Sequence, residues 1–283
     1  MHVTPLSDVL GVRISGVDIS QPLPIETARA LGAALDEHQV VVLPRQKLST
    51  ESFVRFSRHF GPAEPHVIDT FHHRKNANIL VLSNVFRDGK PIGLVDAGTY
   101  FHSDYSYLAL PARCTMLYAI KIPPMNCGTT FANQRRAYDD LSEATKARVQ
   151  HLVANHHYGN RNDLDLRSRT VASVLTEDQK DRVEWVKHPL VRNHPQNGKP
   201  NLYAVSGSSF SIDGMTDDAS LELLEELRLH STQEKYCYTH NYAVGDVIIW
   251  DNCSLLHRAP LTDLKGHART LWRITVKEQQ ARS

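Results

Sequence analysis

The chain has 283 residues, with 32 Lys and Arg against 31 Asp and Glu and a formal net charge of +1. That balance removes the broad electrostatic case for a nucleic-acid or membrane-surface protein and leaves room only for a local basic pocket. The length allows one large core, and no linker-like shift in composition argues for two, so a single domain over residues 1–283 is expected.

Cys114, Cys127, Cys237 and Cys253 are widely separated and form no Cys-x-x-Cys pair, so they read as reduced thiols. The opening Met1-His2-Val3-Thr4-Pro5 has no basic segment followed by an apolar one, and no apolar run reaches membrane-spanning length. A cytoplasmic protein is expected.

Val9 to Ile19 alternates apolar and polar residues and reads as a strand entering the domain. Ile25 to Glu37 carries Ala28, Leu31, Ala34 and Leu35 on one stripe, a helix feeding the buried strand Val40 to Leu43. Ser49 is placed to cap a second helix whose Phe53, Phe56 and Phe60 recur at helical spacing before Gly61-Pro62. Strands follow at Ile79–Ser83, around His102, at Cys114–Ile120 and at Gly128–Phe131; Ala137 to Leu152 reads as helical with polar breaks.

Residues 159–182 are dense in Asn, Asp, Arg, Ser and Thr, and read as an active-site lid or a mobile excursion. Leu190–Arg192 and Leu202–Val205 flank an Asn-Gly pair, a hairpin signature. Thr216 is placed to cap a helix through Leu221, Leu224 and Leu227, and the chain ends in strands at Tyr238–Tyr242, Val247–Trp250 and Arg269–Val276. Many strands with a few outer helices predict a mainly β fold with flanking helices (α+β), built as a double-sheet jelly roll.

The chemistry centres on Tyr100 to Tyr105. Read as an extended strand, it points His102 and Asp104 to one side and Phe101 and Ser103 to the other. An imidazole and a carboxylate two residues apart are the local half of a 2-His-1-carboxylate triad, which holds a non-haem Fe(II) with open positions. His-x-Asp alone is a weak signal among 16 histidines. His257, shortly after Trp250-Asp251-Asn252, is the choice for the third ligand, with Trp250 and Asn252 read as structural parts that position it. Near the end, Arg269, Leu271 and Arg273 share one face of a strand and Thr270, Trp272 and Ile274 the other. Outward, the arginines are solvated; inward, they require anions, because a buried unpaired guanidinium is very costly. An inward pair would select acidic small molecules.

Taken together, His102-x-Asp104, Gly128-Thr129-Thr130-Phe131, Trp250-Asp251-Asn252 with His257, and Arg269-x-x-x-Arg273 resemble the Fe(II)/2-oxoglutarate-dependent taurine dioxygenase and 2,4-dichlorophenoxyacetate dioxygenase family. The resemblance runs from Val17 to about Val276 and implies a double-stranded β-helix (jelly roll) of the clavaminate-synthase-like kind. It implies His102, Asp104 and His257 as iron ligands, and Thr130 and Arg269 as the site for the distal carboxylate of 2-oxoglutarate. With dioxygen as co-substrate, a C–H bond of a small anionic organic substrate, such as a sulfonate or carboxylate, would be hydroxylated with release of succinate and carbon dioxide. His66 and Arg273 match substrate-contacting positions of the family; Gly98, Tyr105 and Ser208 are further pocket candidates. Gly98 replaces an asparagine of the taurine enzyme and Tyr105 a smaller aliphatic residue, which argues against taurine itself. Relatives commonly form dimers or tetramers, so a homo-oligomer is expected by analogy. A zinc-dependent hydrolase or isomerase on the same ligands, or a non-catalytic small-acid-binding protein, are the alternatives.

Overall fold

Runs of β-branched and aliphatic residues assemble mainly into sheet, with helices on the outside. The computed structural model of the chain describes residues 1–95, 98–124, 127–158, 176–259 and 266–279. The order begins β1 (His2–Pro5), β2 (Val12–Ser15), α1 (Ile25–His38), β3 (Val40–Leu43), α2 (Thr50–Ser57), β4 (His72–His73) and β5 (Asn76–Ser83). A small hairpin, β6 (Phe86–Arg87) and β7 (Lys90–Pro91), precedes β8 (Ala112–Lys121), β9 (Gly128–Asn133), α3 (Gln134–Asp139) and α4 (Glu143–Val149). Next are β10 (Val153–His156), α5 (Glu177–Lys180), β11 (Val186–Pro189), β12 (Val191–Asn193), β13 (Pro200–Leu202) and β14 (Ser209–Ile212). The chain closes with α6 (Asp217–Ser231), β15 (Cys237–Asn241), β16 (Val247–Asp251), β17 (Leu255–Arg258) and β18 (Thr270–Lys277).

Eight strands form the largest sheet, in the order β1-β2-β3-β16-β8-β18-β5-β4, and β15-β9-β17 form a second sheet. Alternate residues of β3 face opposite ways: Val41 and Leu43 pack with Leu31 and Leu35 of α1 and Phe53 and Phe56 of α2. Val40 and Val42 join Leu117, Trp250 and Leu271 in a cluster that also takes in Phe131 and Leu255 from the second sheet. The sheet is therefore apolar on both faces, one covered by helices and one turned toward the smaller sheet, where the site lies. Two helix starts follow the sequence reading. Ser49 forms a capping box with Ser52, and Thr216 accepts from the Ala219 N–H.

Three expectations change, and a fourth falls mostly outside the described residues. The entering strand is only Val12–Ser15, because beyond it the Ile19 N–H is taken by the Gln46 side chain rather than a neighbouring strand. The helical stretch at Ala137–Leu152 divides into α3 and α4, since Ser142 caps a new start by accepting from the Thr145 N–H. Of the polar stretch 159–182, residues 159–175 lie outside the described residues and the remainder carries α5. The strand expected around His102 shrinks to one isolated bridge, followed by a turn that begins at Asp104. No helix among the described residues is long and apolar enough to cross a membrane.

Candidate active site

The bridge brings His102 against His257. Each donates its backbone N–H to the other's carbonyl, at 3.0 and 2.8 Å, an antiparallel hydrogen-bonded pair whose side chains stand on the same side. The two imidazole centroids are 4.2 Å apart. Asp104 reaches the same spot from the turn: its Oδ1 lies 3.6 Å from His102 Nε2 and its Oδ2 3.5 Å from His257 Nε2. Tyr105, next in the chain, adopts a left-handed φ of 55°, which is the local bend that replaces the expected strand. One ligand atom from each of His102, Asp104 and His257 lies within 4.8 Å of the others.

Two members of this cluster, His257 and Asp104, are held in the protonation a divalent cation requires. Burial pushes the His257 imidazolium well below its ordinary range, with His102 and Arg273 adding to the effect and Asp104 opposing it. Burial alone would raise the Asp104 carboxyl, but the Arg273 guanidinium, together with His257 and His102, holds it well below the usual carboxylate range. A neutral His257 imidazole and an ionised Asp104 carboxylate result. His102 Nδ1 is 2.9 Å from the Tyr100 carbonyl and donates to it in the neutral ring, which leaves the Nε2 lone pair toward Asp104. The buried Nδ1 of His257 has no hydrogen-bond partner among the described residues, and its Nε2 faces Asp104. The donor set fits a first-row dication.

Arg269, Leu271 and Arg273 all line the cavity around these three residues, so the arginines point inward. On the other face, Trp272 packs against His73 and Tyr118. Arg273 donates from Nη2 to Asp104 Oδ1 at 2.7 Å and from Nε to Thr275 Oγ1 at 3.1 Å. Among the described residues, Arg269 has no ion pair with a carboxylate, its Nε is buried without a partner, and Nη1 reaches the Cys127 thiol at 3.9 Å.

Thr130 does not join this group. Its hydroxyl pairs with that of Thr239, 2.8 Å away, on the side of β9 turned from the cavity, whereas Thr129 lines the cavity and hydrogen-bonds the Tyr242 hydroxyl. The correction follows from strand parity: neighbouring residues face opposite ways. Phe131, which shares its face with Thr129 and is fully buried in the inner cluster, is the signal that would have chosen correctly.

His66, Gly98, Tyr105 and Ser208 all line the cavity. Burial, then Arg273, lowers the His66 pKa to about 3, and its Nδ1 accepts from the Ile68 N–H at 3.0 Å. Gly98 packs on His102: a Cβ added there would sit 2.3 Å from His102 Cε1. Sequence reasoning missed Tyr107, Tyr158, Tyr242, Leu82 and Leu94, which also line the cavity. Rings of Tyr105 and Tyr107 lie 5.7 Å apart, Tyr107 and Tyr158 4.6 Å, and His66 and Tyr158 6.3 Å, making one aromatic wall.

A mostly β scaffold gathers two imidazoles, one carboxylate and two arginines in one cavity, a set that can hold a dication beside cationic groups that attract acids. Residues 2–275 match the family model described as taurine catabolism dioxygenase TauD, TfdA family, and the chain belongs to that family. It is 31% identical over 282 residues to the alpha-ketoglutarate-dependent 2,4-dichlorophenoxyacetate dioxygenase of Cupriavidus pinatubonensis, covering 96% of each chain. It is 27% identical to pentalenolactone F synthase of Streptomyces arenae, over 91% of this chain and 89% of that one. The solved structure of AAD-2 in complex with Mn(II) and N-oxalylglycine superposes with a TM-score of 0.83 at 28% identity, covering 99% of both chains. Membership decides among the alternatives left by the sequence: the chain is a 2-oxoglutarate-dependent dioxygenase, not a zinc hydrolase or a non-catalytic binding protein.

Proposed function

We propose that the whole chain works as one double-stranded β-helix (jelly-roll) dioxygenase domain that holds Fe(II) on His102, Asp104 and His257 and hydroxylates a small aromatic acid. The observation that carries this reading is the presence, in one cavity, of the three-ligand cluster and of Arg269, a guanidinium without a carboxylate partner among the described residues. With iron, 2-oxoglutarate and dioxygen supplied, the chemistry converts one substrate C–H bond to C–OH and 2-oxoglutarate to succinate and carbon dioxide.

The protein's own residues bind and orient. Arg269 offers a planar fork for the distal carboxylate of 2-oxoglutarate, beside the hydroxyls of Thr129 and Tyr242. Burial raises the Tyr242 pKa, so its hydroxyl stays neutral and able to donate. Arg273 spends Nε and Nη2 on Thr275 and Asp104; Nη1, with no hydrogen bond described, is available for a substrate carboxylate. The wall of Tyr105, Tyr107, Tyr158 and His66 suits an aryl group and excludes water from it. Tyr158 presents a buried hydroxyl without a partner among the described residues, a hydrogen bond for a polar ring substituent. The named substrates of relatives, 2,4-dichlorophenoxyacetate and phenoxypropionate, are aromatic acids of this kind. Four free thiols suit a reducing, cytoplasmic setting.

The test is anaerobic addition of Fe(II) and then 2-oxoglutarate to metal-free protein, followed by the visible charge-transfer band of the chelate. The band is expected in the wild type and weakened in Arg269→Ala. Stoichiometric iron binding with no band on adding 2-oxoglutarate would overturn the assignment of the co-substrate site.

A further inference from the structure

Behind the metal-ligand cluster lies a chain of buried polar groups with a fixed direction. Trp250 Nε1 donates to Asn252 Oδ1 at 3.0 Å, Asn252 Nδ2 donates to Thr115 Oγ1 at 3.0 Å, and Thr115 Oγ1 donates to Asp104 Oδ2 at 2.6 Å. We infer that Thr115, oriented by Asn252, is a positioning residue for the Asp104 carboxylate, an assignment that rests on the metal-site reading above.

The direction of every bond is forced. An indole N–H can only donate, so the amide oxygen of Asn252 must face Trp250, and its NH₂ must face Thr115. The single Thr115 proton is then free for Asp104, whose carboxylate only accepts. Asn252 also fixes the backbone that carries the ligand: its Oδ1 accepts from the Asp104 N–H at 3.3 Å, and its carbonyl accepts from Ser103 Oγ at 2.7 Å. Thr115 and Asn252 are fully buried, so water does not substitute for either partner.

The geometric consequence concerns the plane of the carboxylate. Arg273 holds Oδ1 and Thr115 holds Oδ2, so Asp104 presents one oxygen to each histidine. Without Thr115, only Arg273 would orient the group, and a carboxylate free to turn forms the two-bond fork that a guanidinium prefers. That rotation withdraws oxygen from the cation site. Cross-strand neighbours leave Thr115 little freedom to move: it sits in β8 between Trp250 of β16 and Thr275 of β18.

The experiment titrates Mn(II) into metal-free protein by calorimetry, without substrate, and records thermal unfolding of each metal-free variant. Thr115→Val keeps the volume and removes the hydroxyl; metal affinity should fall about 10- to 100-fold, as for other groups that orient a ligand. Thr115→Ser should restore it, and Thr115→Cys, a weak donor of similar size, should fall between them, which keeps the test usable if the valine variant does not fold. Asn252→Ala should weaken binding too, and the double variant should be no worse than the weaker single one, because the two act in series. A merely structural role would lower the unfolding temperature and leave the affinity of the folded protein unchanged; that result overturns the inference. His102→Ala separates the two levels. If it abolishes binding while Thr115→Val matches wild type, the positioning role alone fails; if it binds as wild type, the metal site and the inference fail together.

Discussion

His102 is confined by two glycines, and replacing one of them should cost the protein its metal while sparing its fold. Gly98 has φ +67°, and an added Cβ would lie 2.3 Å from His102 Cε1, 3.0 Å from Nε2 and 3.3 Å from Nδ1. Carbon atoms rest at roughly 3.5–4.0 Å, so the imidazole would have to move by about 1.2 Å or more. A flexible ring can do so in metal-free protein, but metal–ligand distances tolerate only about 0.2 Å, so the ring can no longer serve as a ligand. Gly207 closes the other side: a Cβ there would meet His102 Cβ at 2.8 Å.

Gly98→Ala should therefore weaken Mn(II) or Co(II) binding by at least ~100-fold, about 2.7 kcal/mol. The left-handed backbone adds a stability cost of about 1–2 kcal/mol. Gly89→Ala supplies the control: φ is +73° there with nothing within 4 Å, so it carries the same backbone cost without the clash. Absorbance titration with Co(II), alongside thermal unfolding, separates the two effects. If Gly98→Ala and Gly89→Ala bind metal alike, the claim that Gly98 gives room to a ligand is wrong.

Thr129→Val should weaken 2-oxoglutarate binding by about 1.5–3 kcal/mol, the worth of a hydrogen bond to a charged group, while Thr130→Val should leave it unchanged; the reverse order, read from Fe(II)-dependent charge-transfer titrations, would return the role to Thr130. Arg269→Lys keeps the charge and loses the fork, and should raise the 2-oxoglutarate concentration needed for half-saturation about tenfold or more; an unchanged value would move the carboxylate site elsewhere. Metal-free protein should lose stability on acidification. His156, lowered to about 3 by burial, and His257, lowered well below its ordinary value by burial, stay neutral when folded. The unfolded chain takes up these protons below pH ~6.5, so stability is full above that value and falls as pH drops. From pH 7 to 5.5 each should cost about 1.3 kcal/mol, ~2.5 kcal/mol together, measured by urea unfolding. A flat profile over that range would mean that the rings are not held neutral.

Which parts of this architecture could be read from the sequence depends on whether a local pattern fixes them. The cap at Ser49, the stripe of α1 and the hairpin around Asn197-Gly198 are set by neighbours in sequence, and the structure follows them. The cluster of His102, Asp104 and His257 was legible for a different reason: only a few residue types can bind a dication, and His102-x-Asp104 with a distant histidine is a short pattern in that small alphabet. The backbone carrying them was not, because the strand at Tyr100–Tyr105 gives way to a single bridge and a left-handed Tyr105 that no alternation of apolar residues announces.

Parity sets the deeper limit. β9 is paired on both edges, so its period of two was certain, but the period leaves open which of Thr129 and Thr130 faces the cavity. A slip of one residue inverts every side chain of a strand, so a reading that is right about the strand can be wrong about each residue's side. The bulky Phe131 resolves it here, since a large ring must lie in the inner cluster and carries Thr129 with it. The same reasoning on β8 sets Leu117 inward with Thr115, against Cys114 and Met116, and so brings a hydroxyl under Asp104 from a strand that reads as plain core. Groups that orient ligands are thus hidden in apolar strands as isolated polar residues on the inner face, and the phase of the nearest large side chain is what exposes them.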